Sequence, residues 1–256
     1  MHVLIIQGSP RKNSNTKKVT EKFLNHLKTI IPDLNITTHT LTQKNIQFCT
    51  GCYNCLRKGL NTCPHNDDVL PMYKQMKASD GIILASPVYL MHVTAQMKKF
   101  LDRLSPLCHR PELQNQQGMA IVTTGGIGEK TVGKYLSDML SIWGCQSSEM
   151  LALKTPPNKT LGTDSIQDHL PIIHKKAEHY AKRLVSTTPP KPSFTQLMQF
   201  RMQKKIFTQP ETKEIFPADY HFWTTRPYKT YHVNARINPL TNMTAALIEK
   251  IMGPFL

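Results

Sequence analysis

No apolar run in this 256-residue chain approaches the roughly 20 residues that a membrane-spanning helix needs, so no membrane partner is expected. The amino-terminal stretch lacks the basic, then apolar, then small-residue pattern of a secretion signal and opens directly on a strand pattern. A cytoplasmic location, with the six cysteines mostly reduced, is the expectation. Acidic residues are scarce, 17 against 32 Lys and Arg, which leaves a formal net charge of +15. Residues 1–185 carry +10 of this and residues 186–256 carry +5, so there is no basic arm. The resulting field favours anionic ligands. It would also draw nucleic acid, but helix-turn-helix, zinc-finger and base-stacking patterns are missing, and no nucleic-acid partner is expected. Internal repeats are lacking too.

What the chain does have is alternation. Five short apolar runs, near 2–7, 34–40, 80–85, 118–124 and 147–153, read as strands. Helical patterns lie between and after them. Val19, Phe23, Leu24, Leu27 and Ile30 share a face over about 15–31, and Val69, Met72, Tyr73 and Met76 share one behind Asp67-Asp68, which suits a helix start. Val93, Met97, Phe100, Leu101 and Leu104 mark a third helix, and 131–142 and 169–185 suggest two more. Such a pattern predicts an α/β fold, a doubly wound five-stranded parallel sheet. The Pro-rich run from Ser186 to Ser193 ends this core, giving a domain over 1–185 and a helical and aromatic extension over 186–256. The extension holds predicted helices near 194–207 and 240–252, the latter carrying Leu240, Met243, Leu247 and Ile251. It is expected to pack on the core or on a second subunit.

Three loops follow strands one, three and four. Gly8–Thr16 joins a buried strand to a helix and offers hydroxyls, backbone amides and the positive end of a helix dipole. It contains neither the Gly-Lys-Ser/Thr of a P-loop nor a Gly-x-Gly-x-x-Gly fingerprint, so a monophosphate suits it best, although Ser14 or Asn15 would also serve as a plain helix cap. Ser86–Met91 is stiffened by Pro87 and presents amides and an aromatic face to a flat heterocycle. Thr123–Gly128 carries three glycines that let backbone approach a planar ring, or simply form a turn. In a sheet of order 2-1-3-4-5 all three line one crevice beside the topological switch point.

Gly8-Ser9-Pro10-Arg11, Ser14-Asn15-Thr16, the Cys-Thr-Gly-Cys-Tyr-Asn-Cys run, Asp67-Asp68 and Ser86-Pro87-Val88-Tyr89, in that order, resemble the NAD(P)H-dependent FMN reductase and iron–sulfur flavoprotein family over roughly residues 1–185. The resemblance implies a flavodoxin-like fold that binds FMN non-covalently. Carried over, Ser9, Arg11, Ser14, Asn15 and Thr16 hold the phosphate, while Pro87, Val88 and Tyr89 contact the isoalloxazine. Thr124, Gly125 and Gly126 then close the other side. Tyr220, Phe222 and Trp223 of the extension are expected to cover the flavin or to cross to a partner chain, since such rings prefer burial.

Cys49, Cys52, Cys55 and Cys63 form C-x2-C-x2-C-x7-C, followed by Pro64. Three thiols at this spacing wrap one face of a cluster, and the fourth completes a 4Fe-4S site. Ferredoxin spacing has a shorter last gap. Zinc, or free redox-active thiols, remain alternatives, and many flavin reductases look similar here without a cluster. Cys108 and Cys145 read as plain buried thiols, His65 as an exposed loop histidine, and the methionines as core filler. The activity implied is hydride transfer from NAD(P)H to FMN and electron delivery to a small-molecule or small redox-protein acceptor, by a homodimer or homotetramer. The alternative is an electron carrier between ferredoxin and FMN, without nicotinamide. No acid or base is demanded by this chemistry, so no catalytic side chain is named.

Overall fold

The computed structural model describes residues 1–156, 166–226 and 230–252. Strands β1 (His2–Gln7), β2 (Asn35–Thr40), β3 (Gly81–Pro87), β4 (Gln117–Thr124) and β5 (Ser147–Lys154) form one parallel sheet in the order β2-β1-β3-β4-β5. The three central strands are almost wholly buried, as continuous apolar runs require when both faces are covered. Their side chains alternate between two cores. Val3, Ile5, Ile83, Met119 and Ile121 meet α1 (Asn15–Ile30) and, from the far end of the domain, the helix Leu170–Leu184. Leu4, Ile6, Ile82, Leu84, Ala120 and Val122 meet the helices of the opposite face.

Between these lie α2 (Asn54–Lys58), α3 (Val69–Ala78), α4 (Ala95–Arg103), α5 (Pro106–His109) and α6 (Glu129–Ile142); Leu170–Leu184 is α7. The amphipathic helices fall where their apolar spacing predicts, and Met72, Met76, Met97 and Met119 do fill core positions. Ile30 is a correction. It was expected on the buried face, but it is the last residue of α1, where the chain turns toward β2, and it is exposed. Gly81 is required by a close approach: a Cβ there would lie 2.4 Å from the hydroxyl of Tyr180, which donates to the Gln117 carbonyl across the sheet.

The extension forms α8 (Phe194–Phe207), α9 (Pro210–Ile215), α10 (Pro217–Thr224) and α11 (Pro239–Met252). Ser193 and Gln196 make a reciprocal capping box that starts α8. Leu197, Phe200, Phe207, Trp223 and Tyr231 build a separate aromatic core. Trp223 donates its indole N–H to the His109 carbonyl at 2.9 Å, so this ring is committed to the aromatic core and to α5. Leu240, Met243, Leu247 and Ile251 of α11 are exposed, although Ala245 between them is buried. No helix among the described residues is long and apolar enough to cross a membrane.

Candidate functional site

The first loop leaves β1 through Gly8, whose N–H bonds the Ala85 carbonyl at the end of β3 (2.7 Å) and whose carbonyl accepts from the Thr94 hydroxyl (2.7 Å). A Cβ on Gly8 would stand 3.0 Å from the Cβ of Met97, so only glycine lets the loop pass this close to α4. Ser14 then caps α1, its hydroxyl accepting from the Lys17 amide at 3.1 Å. The amides of Asn15 and Thr16, at the first two helical positions, have no acceptor within the helix. The first turn of α1 contains no acidic side chain, whereas the first turn of α6 carries Glu129. Of the two helix starts, that of α1 is therefore the one open to an anion.

Ser9 is 2% exposed, and its hydroxyl has no partner among the described residues. A buried hydroxyl without a partner, in a loop that leads to a helix N-terminus with no acidic first turn, has the chemistry to donate to an anion. Arg11 stands exposed at the loop's rim. Asn15 and Thr16 are engaged elsewhere through their side chains: Asn15 donates to the Thr155 carbonyl (3.0 Å), and the Thr16 hydroxyl pairs with that of Thr123 (2.7 Å). Both side chains tie the first loop to the ends of β4 and β5.

Similar bonds join the second loop to the third, and the third to the end of β5. Val88 N–H bonds the Thr123 carbonyl (2.9 Å), and Thr155 N–H bonds the Thr124 carbonyl (2.7 Å). Pro87 ends β3 and Thr124 ends β4, both buried, while Tyr89, Gly125 and Gly126 are exposed at the crevice mouth. Leu90, fully exposed, and Met91 turn the second loop with left-handed backbone, and a Tyr89–His92 bridge closes it. Gly128 lies under this tip, its vacant Cβ position 3.2 Å from both Val88 and Met91. All three sequence-predicted loops thus meet at the carboxyl edge of the sheet. Thr94 was missed, although a threonine just before an amphipathic helix is a capping signal.

The cysteine run lies between β2 and α3. Cys49, Cys52, Cys55, Cys63, His65, Arg103 and Ser105 line one cavity of about 180 Å³. Burial raises the Cys55 thiol pKa, and Cys63, Cys49 and Cys52 push it the same way, against a hydrogen bond with Ser105. His65 is not the exposed loop residue expected: it is half-buried, and its Nε2 is buried without a partner among the described residues. Among the described residues no three His, Cys, Asp or Glu side chains are gathered to hold a single metal ion. What the four cysteines share is this one cavity, with two of them, Cys49 and Cys52, exposed at it.

Arg103, at the end of α4, is buried and holds this region together. Nη2 donates to the Cys63 sulfur at 3.3 Å, and Nη1 donates to the Gln47 carbonyl (2.9 Å) and to Asp67 (2.5 Å). Burial opposes ionisation of Asp67, yet bonds from Arg103 and from the Gln47 and Val69 amides outweigh it and hold the carboxyl below its usual range. Asp67, and not Asp68, meets an amide of α3; Asp68 accepts instead from Asn45 (2.8 Å).

Residues 1–152 match the family described as NADPH-dependent FMN reductase. An iron–sulfur flavoprotein of Archaeoglobus fulgidus is 32% identical over 89% of this chain and its own whole length. An iron–sulfur flavoprotein of Clostridioides difficile is 31% identical over 69% of this chain and 77% of its own. Among solved structures, an FMN-dependent NADH-azoreductase of Bacillus anthracis in complex with FMN superposes with a TM-score of 0.51 at 18% identity, covering 73% of this chain and all of that one, a likeness of fold. The doubly wound sheet, the order of its loops and these relatives agree: the chain belongs to the NADPH-dependent FMN reductase and iron–sulfur flavoprotein family of flavodoxin-like oxidoreductases.

Proposed function

We propose that the protein binds FMN in the crevice of the three loops, takes reducing equivalents from NAD(P)H and passes them to a small second acceptor such as a quinone, a free flavin, a nitro or azo compound or a metal ion. The observation that carries this reading is the buried, unpartnered Ser9 hydroxyl at the open amino terminus of α1, with two further strand-end loops bonded beside it. In this reading Ser9 and the amides of Asn15 and Thr16 bind the phosphate, and Arg11 adds a screening-sensitive attraction from the rim. Ser14 and Thr16 hold the loop in shape. Pro87, Val88 and Tyr89 border one side of the ring, and Thr124, Gly125 and Gly126 the other. FMN, when bound, supplies the hydride and electron chemistry. The residues of the chain orient it and exclude water from one side.

Titration of flavin-free protein with FMN tests this, followed by flavin fluorescence, with NADPH oxidation measured in the presence of a quinone. Saturable quenching at one FMN per chain, weakened at least tenfold in S9A/R11A, is expected. Absence of binding refutes it.

A second reading is favoured by the cavity of four thiols and the unpartnered Nε2 of His65: the cysteines hold an iron–sulfur cluster, and the protein carries electrons between a small redox protein and FMN without nicotinamide. Iron and sulfide near four each per chain in anaerobically prepared protein, together with no NADPH turnover, would select this reading over the first.

A further inference from the structure

The cysteine loop has no strand to rest on. Its α2 is five residues long, starts at Tyr53 in a left-handed conformation and has no side-chain cap. Two buried arginines hold it. Arg103 draws its counter-charge from Asp67, within the core. Arg110 does not. Its Nη2 donates to the Cys55 carbonyl at 2.6 Å and its Nη1 to the Leu56 carbonyl at 2.9 Å, while Nη1 also pairs with Asp219, 109 residues further along the chain on α10. Asp219 is 0% exposed, and its other oxygen meets Nδ1 of His109 at 2.7 Å. A buried guanidinium stays charged and requires a buried carboxylate. Here the extension supplies it, and the guanidinium spends its remaining donors on the backbone of a cysteine.

We propose that the C-terminal extension is a working part of the cysteine site, with Asp219 as a positioning residue that fixes Arg110 on the carbonyls of Cys55 and Leu56. Through that fork the tail sets how Cys55 stands relative to Cys49, Cys52 and Cys63. This deepens the reading of the four thiols as cluster ligands, and rests on that reading only where iron is measured. A residue serving only to glue α10 down would be interchangeable with its apolar neighbours. Trp223, one turn away, already ties α10 to α5 through its indole N–H, which goes to the His109 carbonyl and not to a carbonyl of the cysteine loop.

The test compares full-length wild type with D219N, R110K and W223F. Iron-stripped protein is labelled with N-ethylmaleimide, and the rate at each cysteine is read by peptide mass spectrometry. Iron release from anaerobic protein to a ferrous chelator is followed in parallel, and thermal unfolding checks the fold. D219N and R110K are expected to label Cys55 at least tenfold faster than wild type and to lose iron at least tenfold faster. W223F should stay within twofold on both, although it loses a tail-to-core bond. Cys55 labelling unchanged in R110K, which keeps the pairing charge but cannot span both carbonyls, overturns the proposal even if D219N does not fold. So does W223F labelling as fast as D219N. Wild type without iron refutes the cluster reading alone, and the labelling arm still decides the role of Asp219.

Discussion

The loops at the carboxyl edge of the sheet and the cysteine loop are held by different physics. The first set hangs from strand ends by short backbone and hydroxyl bonds: Gly8 to Ala85, Thr94 to Gly8, Thr16 to Thr123, Val88 to Thr123. Each is modest, neutral and local to the crevice, and losing one leaves the others in place. The cysteine loop depends on two buried ion pairs, Arg103–Asp67 and Arg110–Asp219. These are few and desolvated, and removing one partner strands a charge. One site is built to be tolerant, the other to be all-or-none.

The sharpest way to break this contrast is R103L, which leaves Asp67 buried and unpaired. A loss of about 3–5 kcal/mol is expected, measured by urea unfolding. T94V, at the other site, removes the bond to Gly8 and the cap of α4. It should cost about 2 kcal/mol in the same assay and weaken FMN at least tenfold. If T94V costs as much as R103L, the contrast fails.

The aromatic core of the extension gives a third mode, testable by pH. Burial, with the Arg226 cation, pulls His232 down to about 3. The unfolded chain therefore takes up a proton below about pH 6.5 that the folded chain refuses. No cost arises above that pH; below it, stability should fall by up to about 1.4 kcal/mol per pH unit until about pH 3. H232F should flatten the slope measured by denaturation between pH 6 and 4. The smallest effect is S14A, about 1 kcal/mol for a lost cap, with FMN affinity reduced in step.

Much of the crevice could be read in the chain because its signals are local. A short apolar run, then Gly8, Ser86 or Thr123, then a helix pattern, marks each loop within a few residues. The strands of the sheet were legible for the same reason. The residues that were missed have partners far away: Thr94 is 86 positions from Gly8, Arg103 is 36 from Asp67, and Arg110 is 109 from Asp219. A single arginine or aspartate in an amphipathic stretch reads as solvated surface until the fold brings its mate. Helix α10 was hidden likewise, because Phe216–Trp223 looks like a Pro-punctuated irregular piece and becomes helical by burying Asp219 and Trp223.

Helix α4 begins where Thr94 grips the first loop and ends where Arg103 grips Cys63. Its nine residues make a strut of about 14 Å at 1.5 Å per residue. One helix therefore braces the first loop against the Cys63 end of the cysteine loop, while the Cys55 end is held by Arg110 and the tail. For any traffic of electrons between them, the length of that one helix sets the scale of the gap to be crossed.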